Sequence, residues 1–432
     1  MPDHSLTRSL GWPGATLLGL GSILGTGVFV SIGLAAGVAG GWVVLATILA
    51  GLVATANALS SAQLAAAHPV SGGTYEYGYR WLSPPLGFAA GWMFLAAKSA
   101  SAATAALGFA GYTLALHGSG SPAWTIALAL AAVAALTLLV LSGLRRSSLF
   151  NAIIVGLVVA ALVAFIATTG AWALQAEPAP TLGLDRPIGP GFLEATALMF
   201  VAFTGYGRIA TLGEEVRDPA RTIPRAIIVT LVVSAVLYAG VAAAAIAALG
   251  AEGLSSATIA GGAPLEAAAG AIGQPWLGVV VALGAIAAML GVLLNLILGL
   301  SRVTLAMGRR GDLPAALARI DARGTTPWIA TIAVGVVIAI IASIGSIRLA
   351  WSFSAFTVLV YYAITHLAAL RLAPELRLFP RWIAWTGLFA CLGLAWWVDP
   401  GVWLTGLGTL AAGFGVRWAV GRFARRTRNA KV

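Results

Sequence analysis

Apolar residues fill long unbroken runs along this chain, and polar residues gather in the short gaps between them. The runs fall at 12–36, 42–65, 86–116, 123–143, 150–172, 192–213, 225–249, 276–306, 328–346, 349–370, 382–398 and 401–420. Each is close to the about 20 residues that carry a helix across a hydrocarbon core. The pattern predicts an all-α polytopic membrane protein with twelve transmembrane helices. The pairs 328–346 and 349–370, and 382–398 and 401–420, are separated by so few residues that they read as helical hairpins, the last turning at Pro400-Gly401.

Two runs carry a flaw. In the first, Gly21-Ser22-Ile23-Leu24-Gly25-Thr26-Gly27 places three glycines in seven residues, and each costs a helix about 1 kcal/mol relative to alanine. In the sixth, Val201-Ala202-Phe203-Thr204-Gly205-Tyr206-Gly207-Arg208 repeats the Gly/Thr interruption. An unwound backbone in lipid loses its hydrogen-bond partners, so it is tolerated only where protein or a cavity satisfies it. The breaks lie five runs apart. Five is odd, so a repeat of runs one to five as six to ten is inverted in the membrane, and interrupted helices at matching positions of inverted halves point to a substrate site near the midplane.

Composition agrees with a membrane protein: 60% of the 432 residues are hydrophobic and 9% are charged, against about 25% charged in soluble domains. The net charge of +11 invites a nucleic-acid reading, which the placement of the charges removes. With the N-terminus inside, all but four of the 25 Lys and Arg fall in inner segments. Arg186 and Arg348 fall outside, and Lys98 and Arg208 lie within the membrane. That asymmetry orients the chain with both termini cytoplasmic. The predicted organisation is an N-terminus at 1–11, a first repeat at 12–172, an inverted second repeat at 192–370, two further helices within 382–420 and a basic tail at 421–432.

Catalytic chemistry has no foothold. No carboxylate sits mid-run, the four histidines show no ligand spacing, and Cys391 is the single cysteine. No catalytic residue, metal or cofactor is expected, and Glu214-Glu215 reads as part of a loop that Pro219 and Pro224 stiffen.

Three stretches together resemble the amino acid–polyamine–organocation (APC) permeases. They are the first break at 21–29; Phe200 to Tyr206 with Glu214-Glu215-Val216-Arg217-Asp218-Pro219 and Ile223-Pro224-Arg225; and Ser301-Arg302-Val303 with Ala306-Met307-Gly308-Arg309-Arg310-Gly311-Asp312-Leu313-Pro314. The resemblance implies a five-plus-five inverted-repeat core with discontinuous helices 1 and 6, two C-terminal helices and alternating access. It implies that a substrate carboxylate binds amides at Thr26 and Gly27, with Gly25 beside them. The substrate ammonium then meets carbonyls of Ile23, Val201, Ala202 and Thr204, and Tyr206 or Phe203 lines the pocket or gates it. A helix restarting at Gly27 has unpaired N–H groups and a positive dipole end, which suit an anion.

The coupling residues depart from the family. A lysine found in the fifth span of some proton-coupled relatives is replaced by Val158, and the eighth run offers Asn295 where sodium symporters place hydroxyls. Lys98 is the alternative proton carrier, since a buried lysine releases its proton readily. Arg208 pairs with Glu214 or Glu215, closes an inner gate, or favours an acidic substrate. The sequence thus predicts a bacterial inner-membrane amino acid permease that works in the lipid bilayer by proton-coupled uptake, with amino acid exchange or amine transport as alternatives.

Overall fold

The computed structural model describes residues 11–68, 70, 72–118, 121–143, 148–184, 187–210, 216–321 and 326–429. Among them there is no β-strand. The helices are α1 (Trp12–Ile23), α2 (Ile32–Ala39), α3 (Val43–Ala67), α4 (Thr74–Trp81), α5 (Pro84–Ala115), α6 (Pro122–Leu141), α7 (Ser148–Ala173), α8 (Gly191–Phe203), α9 (Gly207–Ala210), α10 (Pro219–Gly261), α11 (Pro264–Ala271), α12 (Pro275–Arg310), α13 (Trp328–Ser343), α14 (Ile347–Leu370), α15 (Arg381–Trp396) and α16 (Pro400–Asn429).

Local chemistry sets many of these ends. Pro84, Pro122, Pro264 and Pro275 open helices at positions where a missing N–H costs nothing. Gly262 and Gly311 close α10 and α12 with φ values of 71° and 82°, a left-handed conformation that glycine adopts without a Cβ penalty. Gly250, φ 71°, kinks α10 just beyond the end of the seventh apolar run.

Among the described residues each apolar run is mostly helical, yet length and composition alone qualify fewer as spans. Among the described residues seven helical stretches are long and apolar enough to cross a membrane, eight if α15 and α16, bent by 114°, count as one. Run nine is shortened to the 16 residues of α13. Run six is divided between α8 and α9, and run one between α1 and α2. Short α4 and α11 were not foreseen, since neither forms an apolar run.

The bundle is built around α5 and α14, whose apolar windows are 78% and 83% buried, against 28% in α6. Alanine, serine and glycine dominate the middle of α5, and small residues are what let membrane helices approach closely. The outer surface carries exposed Leu52, Leu138, Val236, Phe389 and Trp396, as a lipid-facing surface requires.

Candidate functional site

α1 stops at Ile23, where Leu24 turns extended (φ −71°, ψ 102°). The chain re-enters helix through a wide turn at Gly27–Ser31, in which the Gly25 carbonyl accepts from both Val28 N (3.1 Å) and Phe29 N (3.2 Å). The second break lies where α8 ends at Phe203 and a tight turn at Thr204–Tyr206 leads into α9.

The breaks touch each other reciprocally. A Cβ on Gly27 would collide with Ala202, and a Cβ on Gly205 would collide with the Ser22 backbone. Each glycine therefore removes the side chain that would hold the two interruptions apart.

Between them is a cavity of about 390 Å³, within the range of small-molecule sites. Its rim carries the exposed Val70, Arg208 and Arg302, so it reaches the surface there. Trp351, a lining residue only 3% exposed, donates its indole N–H to Leu198 O at 3.0 Å. Phe94, Tyr361 and Tyr362 form an aromatic wall, with ring centroids 5.3 and 4.8 Å apart along the series.

Ile23, Thr26, Gly27, Val201, Ala202, Thr204, Lys98 and Arg208 all line this space. Gly25, Phe203 and Tyr206 do not. Gly25 faces Val292. The Phe203 ring packs on Tyr238, 5.0 Å between centroids, and Tyr206 packs behind Tyr362 at 5.8 Å. Asn295 joins the lining from α12, whereas Val158 is buried in the packing of α7. Glu214 and Glu215, offered as partners of Arg208, lie outside the described residues.

Hydrogen bonds at the breaks divide into filled and open groups. Tyr238 Oη lies 2.7 Å from Ile23 O and 3.4 Å from Ala202 O, so one hydroxyl bridges the two interruptions. Thr204 Oγ1 donates to Val201 O at 2.7 Å and accepts from Lys98 Nζ at 2.7 Å. A carbonyl has two lone pairs; Val201 O already accepts from both the N–H and the Oγ1 of Thr204, so a ligand reaches it only by displacing the hydroxyl. Thr26 Oγ1 is different: it is buried, lines the cavity and has no hydrogen-bond partner among the described residues. A buried hydroxyl left unmade costs about 1–3 kcal/mol, a cost that a ligand's acceptor removes.

Tyr238 was not legible as a site residue. It sits mid-run in α10, where a tyrosine reads as core filling, and only the habit of buried phenols to find a partner hinted otherwise. Tyr238→Phe is expected to lower stability by about 1–3 kcal/mol, the cost of leaving buried carbonyls short of a donor. Thermal unfolding in detergent measures it, and an unchanged midpoint would show the hydroxyl dispensable.

Comparison with known proteins adds family information. The family model described as "Amino acid permease" matches residues 14–410. An uncharacterized transporter of Mycobacterium tuberculosis is 44% identical over 432 residues, 99% of this chain and 95% of that protein. The branched-chain amino acid permease of Bacillus subtilis is 31% identical, over 79% of this chain and 76% of its own. The methylthioribose transporter of the same organism is 32% identical over the same shares.

Proposed function

We propose that this chain, which belongs to the amino acid permease family, is a secondary active transporter that carries amino acids by alternating access between its two helix breaks. The observation that carries the proposal is one cavity bordered by both interruptions, with the Thr26 hydroxyl, unpartnered among the described residues, in its lining.

In this reading twelve spans are arranged as a five-plus-five inverted repeat with two added helices. The reciprocal contacts of Gly27 with Ala202 and of Gly205 with Ser22 support that symmetry. The substrate carboxylate meets Thr26 and the N–H groups at Gly27, since the first N–H groups of a restarted helix have no carbonyl one turn earlier. The ammonium meets the carbonyls of Ile23, Val201, Ala202 and Thr204, at Val201 in place of the Thr204 hydroxyl. The protein lies in a bacterial inner membrane with both termini cytoplasmic, so the rim at Val70, Arg208 and Arg302 faces inward and Trp351 lies toward the outer side.

Proton coupling runs through Lys98. Its ammonium is buried, it holds Thr204 at the second break, and no ion pair to it exists among the described residues. Loss of its proton removes the charge that strengthens its hydrogen bond to Thr204 Oγ1, and so weakens its hold on the break.

Uptake of labelled amino acids into proteoliposomes, under imposed proton or sodium gradients and with substrate on the far side, tests the reading. Saturable uptake driven by an outside-acid gradient is expected; exchange independent of any gradient would replace symport by antiport. Absence of both in active vesicles would sink the permease reading. With Lys98→Ala, uptake of a neutral amino acid is expected to lose its response to the pH gradient, whereas undiminished proton-driven uptake would remove Lys98 from coupling.

A further inference from the structure

The charged groups of the cavity are of one sign. Lys98, Arg208 and Arg302 line it, and no aspartate or glutamate does so among the described residues. Arg208 and Arg302 stand at the exposed rim. Lys98 is the deep one, 8% exposed, on the most enclosed part of α5.

An ammonium has three donors. Lys98 gives one to Thr204 Oγ1, and that oxygen's own proton points at Val201 O. Thr204 is itself fixed at the second break, so the Nζ atom is held beside the space where the substrate lies. The contact is a neutral one: a hydroxyl orients the charge without compensating it. Buried charges are ordinarily paired with an opposite charge, and the chain supplies none to Lys98 among the described residues.

We propose that Lys98 makes the site selective for amino acids of net negative charge, the dicarboxylic ones, and against those carrying a second cation. The inference rests on the permease reading above. An α-carboxylate at Thr26 and Gly27 uses the first break, and a side-chain carboxylate supplies the charge that Lys98 lacks. A neutral amino acid leaves the ammonium uncompensated. A lysine or arginine substrate adds a further positive charge to a space already holding one. The same pairing ties the selectivity to coupling, because an anionic side chain favours the protonated form of Lys98.

The test uses the purified full-length protein in nanodiscs, with L-glutamate, L-leucine and L-lysine as probes and direct binding as the readout. Glutamate is expected to bind at least tenfold more tightly than leucine, and lysine to bind least well. In Lys98→Met the glutamate-to-leucine ratio is expected to fall at least tenfold, and in Lys98→Arg the preference for glutamate is expected to persist. Lys98→Gln replaces Lys98→Met if the latter does not fold. Leucine binding more tightly than glutamate, or a ratio unchanged in the neutral variant, overturns this inference and leaves the permease reading standing. Failure of all three probes to bind the folded protein overturns both.

Discussion

Replacing Gly27 by alanine is expected to reduce transport at least tenfold, with the protein still inserted in the membrane. The added Cβ would lie 2.7 Å from the Ala202 Cα, a backbone atom that cannot rotate away. Overpacking of this kind costs about 1–3 kcal/mol. Here the strain falls on the contact between the two breaks, so it shifts the geometry of the carbonyls and amides around the cavity. At 1.4 kcal/mol per factor of ten, the loss is on the order of ten- to a hundredfold in substrate affinity. Gly205→Ala is expected to match it, because its Cβ would lie 2.5 Å from the Ser22 carbonyl carbon. Gly156 on α7 is the control: nothing lies within 4 Å of a Cβ there. Gly156→Ala should leave uptake unchanged, and equal loss in all three variants would show that the breaks are not special.

Asp312→Asn is expected to give the largest stability loss outside the cavity. Asp312 is 4% exposed and accepts hydrogen bonds from Tyr75 Oη at 2.7 Å and Tyr79 Oη at 2.6 Å. Its other oxygen meets Arg417 Nε at 2.9 Å. Arg417 also bonds Tyr79 Oη at 3.0 Å and Pro84 O at 3.2 Å. Beside this group, Arg310 pairs with Glu76 at 2.6 Å and lies 4.1 Å from the Tyr79 ring centroid. Burial, then the bond to the Asp312 carboxylate, raises both phenols above their usual pKa, so they stay donors. The node thus joins α4, the end of α12 and α16 through one carboxylate. Removing one partner of a buried pair costs about 3–5 kcal/mol, and because Arg417 is 26% exposed the lower part of that range applies. Thermal unfolding in detergent should show a midpoint lowered by several degrees. The exposed pair of Arg221 with Asp218 gives the comparison: Arg221→Ala should not move the midpoint. A midpoint unmoved in Asp312→Asn would show that the node is not structural.

The sequence made visible what depends on neighbours along the chain. Apolar runs located the helices, and the glycines at 21–27 and 205–207 located the breaks, because a helix interruption is a local event. It also singled out Lys98, since a lysine inside an apolar run is conspicuous. What remained hidden depends on residues distant in sequence. Tyr238 lies 215 residues from Ile23 and looks like any core aromatic. Tyr361, Tyr362 and Phe94 are equally ordinary until the fold aligns them on one wall. The outward turn of Phe203 was unreadable because the rotation of α8 about its axis is set by packing against α2 and α3. The Asp312 node combined a stretch of the family resemblance with Arg417, which in the sequence was one of many basic residues of the inner segments.

Arg417 follows Tyr79 by 338 residues, and synthesis runs in that order. Until residue 417 is made, the Asp312 carboxylate lacks the guanidinium of its ion pair. Before α16 emerges from the ribosome and inserts, α4 has its packing on α5 and its Thr74 bonds to Tyr361 and Thr365 of α14, but the carboxylate joining it to the end of α12 lacks its ion pair. A nascent chain stalled before Arg417 should therefore be open to protease between α3 and α5, and release beyond it should confer protection. Limited proteolysis of arrested chains reads the difference, and equal cleavage at both lengths would show that closing the node does not govern it.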